Sequence, residues 1–164
     1  MKDIREIVAE LVAEYGTNDP VELAEALGVI VKYKDLGGLS GMYLKYKEQP
    51  IILLNNNLEE HDLIFACSHE LGHKVLHGDM VDEPFLCSFK VFDFKDLTEH
   101  EANVFAAHLL IDDDELLEVL QQGYDVFRAA QILEVNPVLV NIKLYELNNE
   151  GYNFDTSWST TRLY

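Results

Sequence analysis

Residues 67–79, CSHELGHKVLHGD, carry three of the chain's six histidines at four-residue intervals, His69, His73 and His77, and Glu70 follows directly after the first. A neutral imidazole offers a nitrogen lone pair to a metal ion, and a neighbouring carboxylate can take a proton from a water that the ion activates. On an α-helix each residue advances by about 100°, which puts His73 near 40° and Glu70 near 100° from His69. Two imidazoles one turn apart can therefore share one ion, with Glu70 beside them. HExxH on a helix is the pattern of a zinc-binding histidine pair with a glutamate general base.

His77 fails as a third ligand on distance. Eight residues at about 1.5 Å rise place it roughly 12 Å along the axis from His69. Zinc–nitrogen bonds of about 2.1 Å keep two ligands within about 4 Å of each other. The spacing assigns His77 to the helix end, where it would cap carbonyls ahead of Gly78. The extended motif HExxHxxGxxH, or its variant ending in Asp, would recruit Asp79, but Leu76 stands at the position of the turning glycine.

The other acidic candidates on a helix lie in TEHEANVFAAHLLI, residues 98–111. With Glu99 at zero, Ala102, Asn103, Ala106 and Leu110 fall within about 60°, while Glu101 falls near 200°. The small residues on the Glu99 face would let this helix approach the histidine helix closely. Thr98 and Glu101 can form a capping box, which gives Glu101 a local explanation. Glu99 is therefore the expected third ligand, with Glu101 as the fallback. Tyr43, His100 and His108 are candidates for substrate contacts or a further oxyanion donor.

These residues need elements to position them. Apolar residues recur at helical spacing over 3–15. Asp19, Pro20 and Glu22 open a second helix that closes on Gly28. VIVKYK reads as a strand and GMYLKYKEQPIILLN as a hairpin. The histidine helix runs from about 58 to 77, with Leu63, Ile64, Cys67, Leu71 and Val75 as its core stripe and the histidines facing a cleft. SFKVFDF suggests a short strand in an otherwise irregular 79–96. Helices follow at about 98–111, 113–121, 124–134 and 137–149, and the tail 151–164 has no periodicity and reads as loosely docked or disordered. An edge strand at 41–47 or 51–55 could bind an extended substrate by β-addition.

With 164 residues and 48% hydrophobic content, the chain can build a real core. No apolar run approaches bilayer length, and MKDIREIVAE reads as an amphipathic helix rather than a signal peptide, so a cytoplasmic location is expected and no membrane partner. Cys67 and Cys87 read as reduced thiols. The formal charge of −18 repels phosphate backbones and favours a basic protein partner. FRAAQILEVNPVLVNIKLYEL has a helix–turn–helix cadence, but its own balance is acidic, which argues against DNA contact.

HELGHKVLHGD followed by EHEANVFAAHLLI resembles the ImmA/IrrE family of metallopeptidases, whose pattern is HExxH and then E-x-E-A-N-x-F-A-A-x-L-L. The resemblance is closest over residues 58–111. It implies an α+β zincin-like fold, mostly helical with a short antiparallel sheet and added C-terminal helices. The expected organisation is one metallopeptidase domain over 1–164: N-terminal helices and sheet to 57, zinc-binding helices 58–111, a C-terminal helical part 112–150, and the tail. The family also implies one Zn²⁺ on His69, His73 and Glu99, Glu70 as general base, and endopeptidase action on a repressor of a phage, mobile element or stress response. One departure is LLIDDDE, where the family usually has Met-Pro, so the break after 111 must come from Asp112 to Asp114 acting as caps. The rival expectation is a zinc-bearing protein that sequesters a basic repressor without cutting it.

Overall fold

The computed structural model describes residues 3–78 and 97–156, together with the strand backbone of 87–88. Helix α1 (Ile4–Tyr15) starts on Asp3, whose carboxylate accepts from the Arg5 N–H, and ends at Gly16 in the left-handed region. Helix α2 (Pro20–Ala26) starts on Asp19 with Pro20 in its first turn. Glu22 does not close a capping box there; its carboxylate accepts from the Thr17 hydroxyl.

Strands β1 (Ile30–Lys34), β2 (Gly41–Tyr46), β3 (Gln49–Asn55) and β4 (Cys87–Ser88) form a sheet in the order β1-β3-β2-β4. The β2–β3 hairpin turns through Lys47 and Glu48, both at positive φ as a type I′ turn requires. The expected antiparallel sheet is in fact mixed. β3 inserts between β2 and β1 and runs parallel to β1, with Ile30 opposite Ile51. This also removes 51–55 as an edge for β-addition, because β3 is paired on both sides. On its other side β2 carries β4, with Met42 opposite Ser88 and Tyr43 opposite Cys87. The rest of the strand expected in SFKVFDF lies outside the described residues.

Helix α3 (Glu60–His77) lies across the sheet, and α4 (Leu97–Leu110) packs along α3. α4 is the pivot of the core. Its residues Ala102 to Ala107 are all buried, so it has no solvent face and little amphipathic pattern to read. Phe105 and Leu109 join the apolar cluster of α1, α2, α3 and the sheet, while Val104, Ala106 and Ala107 join that of α5 to α7. Ile64, expected in the core stripe of α3, is 37% exposed.

Asp112 caps α5 (Asp113–Gln121) by accepting from the N–H groups of Asp114 and Glu115. That is the break required where the sequence lacks Met-Pro. Helices α6 (Val126–Ile132) and α7 (Pro137–Asn149) follow, joined by a turn with Glu134 at positive φ. Val138, Leu139 and Val140 in the first turn of α7 are fully buried, so this helix has no free end to enter a DNA groove. The start of the tail is docked rather than loose: Phe154 exchanges two hydrogen bonds with the Asn148 side chain and packs on the α4–α7 cluster. Residues 157–164 lie outside the described residues.

Candidate metal centre

The centre sits where α3 and α4 come closest. Gly72 makes the approach possible: a Cβ there would stand 3.1 Å from the backbone Cα and O of Ala102 and 3.2 Å from Phe105 Cβ. One turn from this contact on each helix stand the polar groups. His69 Nε2 and His73 Nε2 are 3.0 Å apart, and each lies 3.2 Å from an oxygen of the Glu99 carboxylate. Among the described residues this is a group of potential ligands whose donor atoms all lie within 4.8 Å of one another. Ligands at about 2.1 Å from one tetrahedral ion are separated by roughly 3.4 Å, so the set has the dimensions zinc requires. Two imidazoles and a carboxylate also suit that ion chemically.

Protonation agrees with geometry. Burial pushes the His69 pKa down, against the pull of the Glu99 carboxylate, and leaves the ring neutral. Burial raises Glu99, but the His69 and His73 rings beside it outweigh that and hold the acid at about 2. Neutral imidazole and ionised carboxylate are the forms a cation binds. The His69 Nδ1–H donates to Asn103 Oδ1 at 3.0 Å, which fixes the tautomer and leaves the Nε2 lone pair facing the group. Asn103 was visible in the sequence as a residue on the Glu99 face of its helix, but only the packing gives it a partner.

Glu70 is fully buried between α3 and β2. Among the described residues, neither of its carboxylate oxygens has a hydrogen-bond partner of normal geometry. Burial raises its pKa well above the ordinary carboxylate range, opposed by the Tyr43 backbone N–H and reinforced by the charge of Glu99. Gly41 of β2 permits this position, since a Cβ there would stand 3.0 Å from Glu70 Cγ. The expected open cleft is therefore narrower than the sequence suggests: His69, Glu70 and His73 are all within 2% of full burial. A buried carboxylate without a partner is costly. A water held on an ion between the three ligands is the partner that would satisfy it.

The other candidates are placed elsewhere. Glu101 turns to His77, 3.6 Å from its Nε2. Leu97 is already helical, so Thr98 is not an N-cap and the expected capping box does not form. His77 does not cap its own helix; its Nε2–H donates to the Thr98 carbonyl of α4 at 3.3 Å. Nor does Gly78 stop α3 in a left-handed conformation, since it keeps right-handed helical angles. His100 acts electrostatically on Glu146 of α7. His108 lies nine residues beyond Glu99, roughly 13 Å along α4, and its Nδ1 accepts from the buried Lys143 ammonium at 2.8 Å. The Tyr43 side chain is buried on the α3 side of the sheet, its hydroxyl 3.8 Å from where a Cβ on Gly78 would stand. Asp79 lies outside the described residues.

Residues 24–145 match the family model described as the IrrE N-terminal-like domain. The chain is 30% identical over 167 residues to a protein named metallopeptidase ImmA from Bacillus subtilis (strain 168), an alignment covering 95% of this chain and 94% of that protein. It is 35% identical over 148 residues to uncharacterized immunity region protein 2 of Bacillus phage phi105, covering 89% and 92%.

Proposed function

Since the chain belongs to the IrrE N-terminal-like family and is a metallopeptidase, we propose that it is a zinc endopeptidase that holds its ion on His69, His73 and Glu99 and moves protons through Glu70. The observation that carries this reading is a buried carboxylate, with no hydrogen-bond partner of normal geometry among the described residues, directly beside three converging ligand atoms. A structural zinc site has no use for such a group, and four protein ligands would close it.

The division of labour follows from the geometry. His69 and His73 present ring nitrogens from one face of α3, and Asn103 keeps the first of them in the right tautomer. Glu99 brings the negative charge from α4 and would offset part of the charge of a bound ion. When bound, zinc supplies Lewis acidity, which lowers the pKa of a water and stabilises negative charge on the scissile carbonyl oxygen. Glu70 accepts the water's proton at a carboxylate oxygen and delivers it to the leaving amine. Burial excludes bulk water, so the proton stays with the pair.

The substrate we propose is a repressor of a phage, mobile element or stress response. The relative from phage phi105 is named as an immunity region protein, which supports a regulatory target. The formal charge of −18 favours a basic protein, as DNA-binding repressors commonly are.

The test is metal analysis of the purified protein with cleavage assays on a repressor encoded beside its gene. Wild type is expected to carry one zinc and to cut. Glu70→Gln should retain zinc and lose about 10²–10⁴ in rate, while Glu99→Gln should lose the metal. A Glu70→Gln protein as active as wild type would overturn the mechanism. A wild type that binds the repressor and zinc but never cuts would move the reading to sequestration.

A further inference from the structure

The third histidine of the opening row has a position that metal binding does not explain. His77 stands one turn beyond His73, with the two rings 5.7 Å apart. It is 9% exposed. Its Nε2 is 3.3 Å from the carbonyl oxygen of Thr98 and 3.6 Å from the carboxylate of Glu101. Those two residues flank Glu99. The Thr98 carbonyl belongs to the peptide unit that continues into the Glu99 nitrogen, so holding that oxygen orients the plane from which the Glu99 side chain springs.

We propose that His77 is a positioning residue: it fastens the first turn of α4 to the last turn of α3 and so presents the Glu99 carboxylate to His69 and His73. This rests on the reading of those three residues as zinc ligands. The first turn of α4 has need of such a fastening. It follows a connection of nineteen residues from α3, and Leu97 at its head is 68% exposed. The close packing of Gly72 on Ala102 fixes α4 one turn further on. With Ala102 fixed and the start of the helix prone to fraying, a bond to the Thr98 carbonyl limits how far Glu99 moves with that end. A carboxylate that must be ordered on binding the ion costs affinity, and His77 makes that ordering part of the fold.

Zinc affinity, read by competition with a chromophoric chelator, tests this alongside the melting temperature of the metal-free protein. His77→Leu removes the donor and is expected to weaken zinc binding about tenfold or more, as loss of outer-shell partners does. His77→Gln places an amide N–H near the lost Nε2–H and should bind within about threefold of wild type. Glu101→Ala leaves the ring in place but releases it on one side, and should weaken binding by a smaller factor. The d–d absorption of the cobalt-substituted protein should change in the leucine variant and stay wild-type-like in the glutamine variant. A merely structural histidine would lower the metal-free melting temperature and leave the affinity of the folded protein alone. Zinc bound by His77→Leu as tightly as by wild type, or equally weakened in the leucine and glutamine variants, overturns the proposal. Should the leucine variant fail to fold, Glu101→Ala decides, and unchanged affinity there overturns it. Loss of metal in Glu99→Gln together with unaltered His77→Leu and Glu101→Ala would remove the positioning role alone. A wild type that binds neither zinc nor cobalt would remove the zinc reading with it.

Discussion

Glu70 and Asn103 differ in how they are satisfied, and the difference separates their roles. Asn103 is 1% exposed and its oxygen already has a partner in the His69 Nδ1–H. Glu70 is equally buried and has no hydrogen-bond partner of normal geometry among the described residues. Replacing Asn103 by Leu keeps much of the volume but leaves the His69 donor unpaired in the core and free to exchange tautomers. Zinc affinity is expected to fall about 10- to 100-fold, measured by chelator competition, with a smaller change in kcat for the protein saturated with metal. Undiminished affinity in Asn103→Leu would mean that the ring is held by packing alone. Glu70→Gln should show the opposite division, keeping the metal and losing turnover.

At the scale of elements, the interface between α3 and α4 sets the site, and Gly72 sets the interface. Glycine inside a helix costs up to about 1 kcal/mol relative to alanine, so Gly72→Ala gains local propensity. Against this, the new Cβ meets backbone atoms of Ala102 at 3.1 Å, and backbone cannot turn aside as a flexible side chain can. Overpacking of this kind costs about 1–3 kcal/mol. The steric cost is expected to win, lowering the melting temperature by several degrees. Because Glu99 rides on the displaced helix, zinc affinity should fall as well. A Gly72→Ala protein that melts higher and binds zinc normally would show that α4 shifts without disturbing the carboxylate. The sheet plays a second part: Gly41 lets β2 close over Glu70, which no residue with a Cβ at that position would do without moving the carboxylate.

Across the whole molecule, a chain of charges ties four helices together on the far side of α4. Arg5 of α1 pairs with Asp113 of α5 and Glu150, and Asp113 also forms an ion pair with Lys143 of α7 at 2.6 Å. Lys143 in turn donates to His108. Burial first, then the charges of Lys143 and Arg5, push the His108 pKa down to about 3. Burial and Arg5 likewise lower Lys143 to about 8, against the pull of Asp112, Glu150 and Glu146. The unfolded chain takes up a proton on His108 near 6.5, while the folded form resists until about 3. Stability from this group is therefore complete above 6.5 and declines as the pH falls toward 3, by at most about 2 kcal/mol between 6.5 and 5. His108→Asn keeps an acceptor for Lys143 and does not titrate. Urea unfolding at pH 7 and pH 5 should show a smaller loss in this variant than in wild type. Equal losses would assign the acid sensitivity to other groups.

What the sequence determined by itself is local. The four-residue spacing on one helix dictates that His69 and His73 share a face with Glu70 beside them, whatever packs around them, and Asp19, Pro20, Asp112 and Pro137 mark helix starts through bonds a few residues long. Helical phase also separated Glu99 from Glu101, because the two lie on different sides of α4. What only the tertiary structure decided is which face meets which. Periodicity was silent about α4, which is buried all round. It could not show that Glu101 turns to His77, that Asn103 reaches His69, or that β3 runs parallel to β1. Nor could it show that Glu70 is sealed under β2 without a hydrogen-bond partner of normal geometry among the described residues. Each of these depends on distances between segments far apart in the chain, set by how closely Gly72 and Gly41 let two backbones approach.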